Sequence, residues 1–248
     1  MKNIFKDKKI LIVGASSDLA KNVNTKLIKE EAIVGLHYNT NLQSLASFKE
    51  SDKIKKFQKN LIFAKDCFDL VDEFAKWAKG LDIVVQLSGD IHRSIHWKNS
   101  TEEDWNYDMS INLIIPFFIA QKSIKYMKSS GGKILLTSTA GAKHGGGTKS
   151  LSYGIAKGGI ENIVKRIAKD CASSNIIINA IAPGFIMTKF HTDRVKKTST
   201  ELKKRLRTIP LNRSGTIEEI TETILFLISE KTSYITGQTI TIDGGDWL

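Results

Sequence analysis

The chain has 248 residues, 41% of them apolar, with 18 glycines, 3 prolines and a net charge of +11, a globular composition with a core to bury. Its lysines are spread through nearly every segment, with no arginine-rich arm and no interleaved aromatics, so the charge reads as a solvated lysine-rich surface and not as a nucleic-acid footprint. Cys67 and Cys171 lie too far apart for a disulfide framework or metal clip, and the longest apolar stretch (111–120) is too short to span a bilayer.

The first apolar run, Ile10-Leu-Ile-Val13, follows two lysines and precedes Gly14. That pattern predicts a buried parallel strand. It is also too short for the core of a signal peptide, and with the reducing compartment that the cysteines suggest it points to a cytoplasmic protein. A helical pattern runs from Leu19 to about Lys29, and a second strand is predicted over 33–36. Residues 42–57 read as polar helix and loop, and 61–64 as a third short strand ending at Lys65-Asp66. Helical spacing of Phe68, Val71, Phe74, Ala75 and Ala78 ends at Gly80.

A fourth strand is predicted over 82–86, followed by Leu87-Ser88-Gly89. Thr101, followed by Glu102, Glu103 and Asp104, has the signature of a helix N-terminus. A long apolar helix is predicted from about Trp105 to Lys128, a fifth strand over 133–137, and a helix from about Ser152 to Ser173 after the glycine-rich loop 141–147. A sixth strand begins at Ile176 and ends near Ala182-Pro183-Gly184. A basic segment, 185–210, then precedes a helix over 216–229 and a last strand over 238–242. Strands alternating with helices, and no linker or repeat, predict an α/β doubly wound parallel sheet: a Rossmann fold of three α/β/α layers in a single domain, 1–248.

Tyr153 and Lys157 stand four apart at the start of a predicted helix and therefore share a face. An ammonium beside a phenol favours phenolate and would lower the phenol's pKa from about 10 towards neutrality, making a proton donor and acceptor. The turn Gly14-Ala-Ser-Ser-Asp18 sits where a dinucleotide fold places its pyrophosphate, against helix N–H groups. Only the first glycine of the usual fingerprint is present. Pro116 has no N–H to offer the carbonyl of Asn112, so the helix is predicted to kink there, leaving a carbonyl for an ordered water.

Together these motifs resemble the short-chain dehydrogenase/reductase family in its single-domain form, and within it the 3-oxoacyl-[acyl-carrier-protein] reductases. The resemblance runs from Gly14 to Asp243-Gly-Gly245. It implies a cofactor loop at Gly14, Ser16, Ser17, Asp18 and Leu19, an adenine contact at Asp66-Cys67, and a nicotinamide-side turn at Ser88-Gly89. It implies catalytic roles for Asn112, Ser138, Tyr153 and Lys157, the last two also touching the cofactor, and a segment Pro183, Gly184, Ile186 and Thr188 that closes on the nicotinamide. By that resemblance Tyr153 transfers the proton, Lys157 biases it and binds ribose hydroxyls, and Ser138 holds the carbonyl oxygen. Thr139 and Thr137 are alternatives to Ser138, because the spacing to Tyr153 is two residues longer than is commonest. Gln86 and Leu87 stand where the family usually has asparagines.

No acid lies between Ala32 and Lys49, where an NAD enzyme places the carboxylate that binds its ribose. His37, Asn39 and Thr40 would accept a 2′-phosphate, so NADP (as NADPH) is favoured over NAD. The expected substrate is a small-molecule or carrier-bound carbonyl. A 3-oxoacyl thioester leads, with a sugar or sugar-acid as the alternative and a catalytically silent dinucleotide-binding protein behind both. Candidate lining is 91–97, Lys143-His144 and a substrate lid at about 185–210. The lid's His191, Arg194, Lys196, Lys197, Lys203, Lys204, Arg205 and Arg207 read either as a cover for an anionic substrate or as a solvated helix. No nucleic acid, membrane or metal is expected. A homo-oligomer, dimer or tetramer, is implied by the resemblance, with Trp247-Leu248 suited to a subunit contact.

Overall fold

The aliphatic run Lys9–Val13 forms β1, an inner strand of a seven-stranded sheet in which every pairing is parallel. The computed structural model describes residues 3–187 and 198–246. The other strands are β2 (Ile33–Tyr38), β3 (Ile54–Gln58), β4 (Ile83–Gln86), β5 (Gly132–Thr137), β6 (Ile176–Pro183) and β7 (Thr239–Ile242). Their order across the sheet is β3-β2-β1-β4-β5-β6-β7, so the winding reverses between β1 and β4. The helices are α1 (Asp18–Lys29), α2 (Ala64–Ala78), α3 (Glu102–Met109), α4 (Ile115–Met127), α5 (Leu151–Cys171), α6 (Ser199–Leu206) and α7 (Ile217–Ile228).

The pleat divides the core. Leu11, Val13, Val84, Ile134 and Leu136 pack towards α2, α4 and α5, whereas Ile10, Ile12, Ile83, Val85 and Leu135 pack towards α1 and α7. Alternate residues of one strand thus feed two apolar layers, which is why these strands are apolar on both faces. The three-layer doubly wound sheet is the predicted one.

Two elements differ from their sequence expectations. The third strand is Ile54–Gln58, not 61–64; residues 61–63 are an irregular approach to α2. Ile54-Lys-Lys-Phe-Gln58 is an edge strand with a single buried side chain, and its two half-buried lysines hide its periodicity. The predicted 105–128 helix is two helices joined by a π-helical turn, Ser110–Ile114. Pro116 lies just beyond that turn and cannot donate to a carbonyl behind it, which accounts for the break. Thr101 caps α3 as expected, with Asp104 returning to the Thr101 backbone at 2.8 Å.

Candidate active site

A cleft of about 1040 Å³ opens over the carboxyl ends of β1, β4, β5 and β6, at the point where the winding reverses. In open α/β sheets such a crevice is where ligands bind. Its first wall is the turn between β1 and α1: Gly14, Ser16, Ser17, Asp18 and Leu19 all line it. Gly14 has φ +82°, and a Cβ there would lie 2.6 Å from the backbone nitrogen of Ser88. Only glycine allows that approach. Ser17 caps α1 by accepting from the Ala20 N–H at 3.2 Å. The glycine cradle and capped helix start leave amides facing the cleft, so the residues present suit the diphosphate of a dinucleotide.

His37 lines the cleft beneath this turn, but both of its ring nitrogens are engaged. It is 4% exposed; Nδ1 accepts from the Gly14 N–H at 3.2 Å and Nε2 donates to the Lys59 carbonyl at 2.9 Å. Burial holds its pKa down at about 4. A neutral ring with both nitrogens engaged cannot donate to a 2′-phosphate, so that expectation for His37 is corrected. Asn39, Thr40, Asn41 and Ser44 do line the cleft, with Asn39 Nδ2 donating to Asn60 Oδ1 at 3.1 Å and Ser44 Oγ to the Ser16 carbonyl at 2.7 Å.

Asp66 and Cys67 are not among the lining residues. Asp66 accepts from the backbone N–H groups of Ile62 and Phe63 at 3.0 and 2.8 Å, capping α2, and those bonds hold its carboxyl below the ordinary range. Cys67 is fully buried in the core. Asn60 and Leu61, just past the true third strand, line the cleft instead. Because β3 ends at Gln58, the chain meets the cleft at Asn60-Leu61 and not at Asp66-Cys67.

Thr139 and Tyr153 line the far end of the cleft, together with Ser88, Gly89, Pro183, Gly184 and Ile186. Lys157 is 2% exposed, donates to the Thr137 carbonyl at 2.9 Å and lies 5.9 Å from the Tyr153 ring centroid. A Cβ on Gly89 would come within 3.1 Å of the Lys157 ammonium and 3.0 Å of Asn112 Oδ1, so both groups sit directly behind that backbone. Asn112 is fully buried. Its amide donates to the Asp90 and Asp108 carbonyls at 2.7 and 2.9 Å and accepts from the Asp90 N–H at 3.2 Å, so the π-turn holds the loop after β4.

The charge state differs from expectation. Burial of the phenol, the nearby Asp108 carboxylate and an opposing hydrogen bond with Thr139 leave Tyr153 pushed up to about 12. Burial alone pushes Lys157 down to about 7. In the protein by itself desolvation outweighs the attraction between the pair, so phenol and not phenolate is favoured.

The hydroxyl beside Tyr153 belongs to Thr139. Ser138 lines the cleft, but its hydroxyl faces α5, donating towards the Lys157 carbonyl at 2.9 Å and Glu161 at 3.2 Å. Thr137 donates to the Gln86 carbonyl at 2.6 Å. Successive residues at a strand end alternate in direction, which is why adjacent hydroxyls have separate partners. Gln86 supplies Ser88 with a hydrogen bond at 2.8 Å, replacing part of the usual asparagine turn.

Of the outer lining, Ile91, Ser94, His144, Phe185, Glu201 and Arg205 reach the cleft. His92 and Arg93 turn to the buried Asp104, at 2.9 and 2.7 Å. Arg205 forms a bidentate pair with Asp246, while Lys203, Lys204 and Arg207 face solvent. Thr188, His191, Arg194, Lys196, Lys197 and Trp247-Leu248 lie outside the described residues. No helix among those described is long and apolar enough to cross a membrane.

A family model described as Enoyl-(Acyl carrier protein) reductase matches residues 14–246. The chain is 33% identical to the 3-oxoacyl-[acyl-carrier-protein] reductase FabG of Thermotoga maritima, with 95% of this chain and 96% of the relative covered. It is 31% identical to Nodulation protein G of Rhizobium meliloti, with 96% of each covered. Among solved structures, a short-chain dehydrogenase/reductase from Serratia marcescens superposes with a TM-score of 0.87 at 19% identity, covering 99% of this chain and 100% of that one; at that identity it speaks for the fold. A sheet that reverses beside a glycine phosphate turn, a tyrosine–lysine pair on the helix after β5 and these matches lead to one conclusion: the chain belongs to the short-chain dehydrogenase/reductase family of oxidoreductases.

Proposed function

We propose that the protein is an NADPH-dependent carbonyl reductase that acts on a carrier-bound 3-oxoacyl thioester. One observation carries the reading: a single cleft joins a phosphate cradle at Gly14–Leu19 to a phenol–hydroxyl pair, Tyr153 and Thr139. The bound nicotinamide would supply the hydride. The cradle and the α1 amides would hold its diphosphate, and Asn39, Thr40, Asn41 and Ser44 would surround its adenosine ribose.

Tyr153 is the group that protonates the carbonyl oxygen as the alcohol forms, since it is a phenol at neutral pH and lines the cleft. Thr139 takes the role that the motif assigned to Ser138: its hydroxyl donates to the same oxygen and places it against the phenol. Lys157, when protonated, stabilises the phenolate left behind and favours its reprotonation. Asn112 acts at one remove by fixing the backbone at Asp90 and, through it, the wall at Gly89. The 3-oxoacyl assignment and the carrier-bound substrate are both supported by the similarity to FabG. NADPH is supported by the neutral lining of the ribose side: no carboxylate stands among Tyr38, Asn39, Thr40 and Asn41. A dimer or tetramer in the cytoplasm is part of the same reading; Ile114, Tyr126 and Ile155 offer exposed apolar side chains for the contact.

The test follows NADPH and NADH absorbance against 3-oxoacyl thioesters and keto-sugars, with Tyr153→Phe as control. Turnover of a 3-oxoacyl thioester with NADPH, lost in Tyr153→Phe, is expected. Turnover confined to keto-sugars would replace the substrate, tighter binding of NADH would overturn the cofactor, and no turnover with no cofactor binding would defeat the enzyme reading.

A further inference from the structure

Asp108 is a buried carboxylate with no counter-cation in contact among the described residues, one helix away from the proton donor. It is 1% exposed, on the face of α3 that meets α5. Its Oδ1 accepts from the His92 backbone N–H at 2.8 Å, and its Oδ2 from Ser152 Oγ at 2.5 Å. Ser152 is 7% exposed and immediately precedes Tyr153 in the first turn of α5. The backbone carbonyl of Asp108 receives the Asn112 amide. Three segments therefore converge on one residue: the loop after β4, the π-turn, and the start of the helix that carries Tyr153.

We propose that Asp108 is a positioning residue for the proton donor: through Ser152 it fixes the first turn of α5 and keeps a carboxylate against the turn that carries Tyr153. The proposal rests on the reading of Tyr153 as that donor. Among the described residues, the charged groups around Asp108 have their hydrogen bonds and ion pairs with other partners. On its own helix, Asp104 is committed to Arg93, His92 and Thr101, and Tyr107 donates to Asp90 at 3.0 Å. From the loop, His92 gives Asp108 its backbone N–H, while the His92 ring serves Asp104. From α5, the Lys157 ammonium is turned to the Thr137 carbonyl. That placement agrees with the raised proton affinity of Tyr153, in which burial is the larger cause and Asp108 the second. Asp108 itself is pushed up by burial, with the Ser152 hydrogen bond opposing. A phenol held in its acid form is suited to protonating a nascent alkoxide, and hence to reduction rather than alcohol oxidation.

The Asp108→Asn variant removes the charge and keeps the shape: its carbonyl oxygen still accepts from His92, and its amide donates to Ser152 Oγ. Tyr153 ionisation is followed by NMR of protein labelled with ¹³C at the tyrosine ζ carbon, assigned against Tyr153→Phe. That readout needs neither cofactor nor substrate, so it stands or falls apart from the reductase reading. In Asp108→Asn the onset of ionisation is expected at a pH lower by roughly one unit. Ser152→Ala keeps the charge and removes the strut; it is expected to leave the ionisation where it was and to lower kcat several-fold with KM little changed. An unshifted ionisation in Asp108→Asn overturns the electrostatic role. Should that variant not fold, Ser152→Ala alone decides: unchanged kcat there overturns the positioning role.

Discussion

Gly14 donates its backbone N–H to Nδ1 of His37, and the other ring nitrogen donates to the Lys59 carbonyl. One neutral imidazole thus ties the phosphate turn to the ends of β2 and β3, and its neutrality has a cost at low pH. The unfolded chain takes up a proton at this histidine near pH 6.5, the folded protein only near 4. Between those values the unfolded state binds more protons, so stability is lost as the pH falls through that window, by about 3 kcal/mol in all. Urea midpoints measured from pH 7 to 4 check this. His37→Gln, which keeps a donor and an acceptor without a titrating ring, should flatten the decline.

Lys157 has the opposite window. It loses its proton near pH 7 when folded and near 10.5 when unfolded, so the cofactor-free protein gains stability as pH rises from 7 towards 10. Above 10 Tyr153 works the other way, because the folded phenol holds its proton to about 12. Lys157→Met should abolish the rise, be more stable than the parent at pH 7, and lose most activity. A parent protein with no gain in denaturation midpoint between pH 7 and 9 would contradict the burial argument.

Thr139 and Ser138 separate by function. Removing one preorganised donor to a reacting oxygen typically lowers turnover about 10²–10³-fold, and that is the loss expected for Thr139→Ala, with Thr139→Ser restoring most of it. Ser138→Ala strips a hydrogen bond from the Lys157 turn of α5 and should cost about 1 kcal/mol of stability, with a smaller effect on kcat. Steady-state kinetics on the two alanine variants decide the assignment; the reverse ranking returns the role to Ser138.

Asn39 lines the cleft and bonds Asn60, where the proposed reading puts the adenosine ribose. Asn39→Asp places a negative charge where a 2′-phosphate would sit, so it should weaken NADPH binding tenfold or more while leaving NADH little changed. Cofactor fluorescence titrations measure both.

Most of this architecture could be read from the amino-acid order because buried parallel strands announce themselves: Ile10–Val13 and Ile176–Ile178 are apolar on both faces and end at turns. Edge strand β3 carries no such signal, since two of its five residues are half-buried lysines, whereas the apolar Leu61-Ile-Phe63 beside it has the pattern of a strand. Asp66, beyond it, caps α2 and does not line the cleft. The tyrosine–lysine pair was legible because helical spacing alone puts both on one face. Which of three consecutive hydroxyls meets the tyrosine was not, because that depends on the strand pleat and on the path of the glycine loop. Asp108 left no sequence signal either: its burial comes from the packing of α3 on α5.

The π-turn at Ser110–Ile114 also fixes how α3 and α4 are phased. It holds one residue more than a regular turn, and an α-helix advances about 100° per residue. Deleting a residue within that turn would let the helix run straight and rotate everything beyond it by that angle. Ile115, Ile119 and Met127, now buried against the sheet, would swing towards solvent, or else Asn112 would leave the loop it holds. The extra residue keeps a core-facing helix and a site-facing asparagine compatible on a single continuous rod.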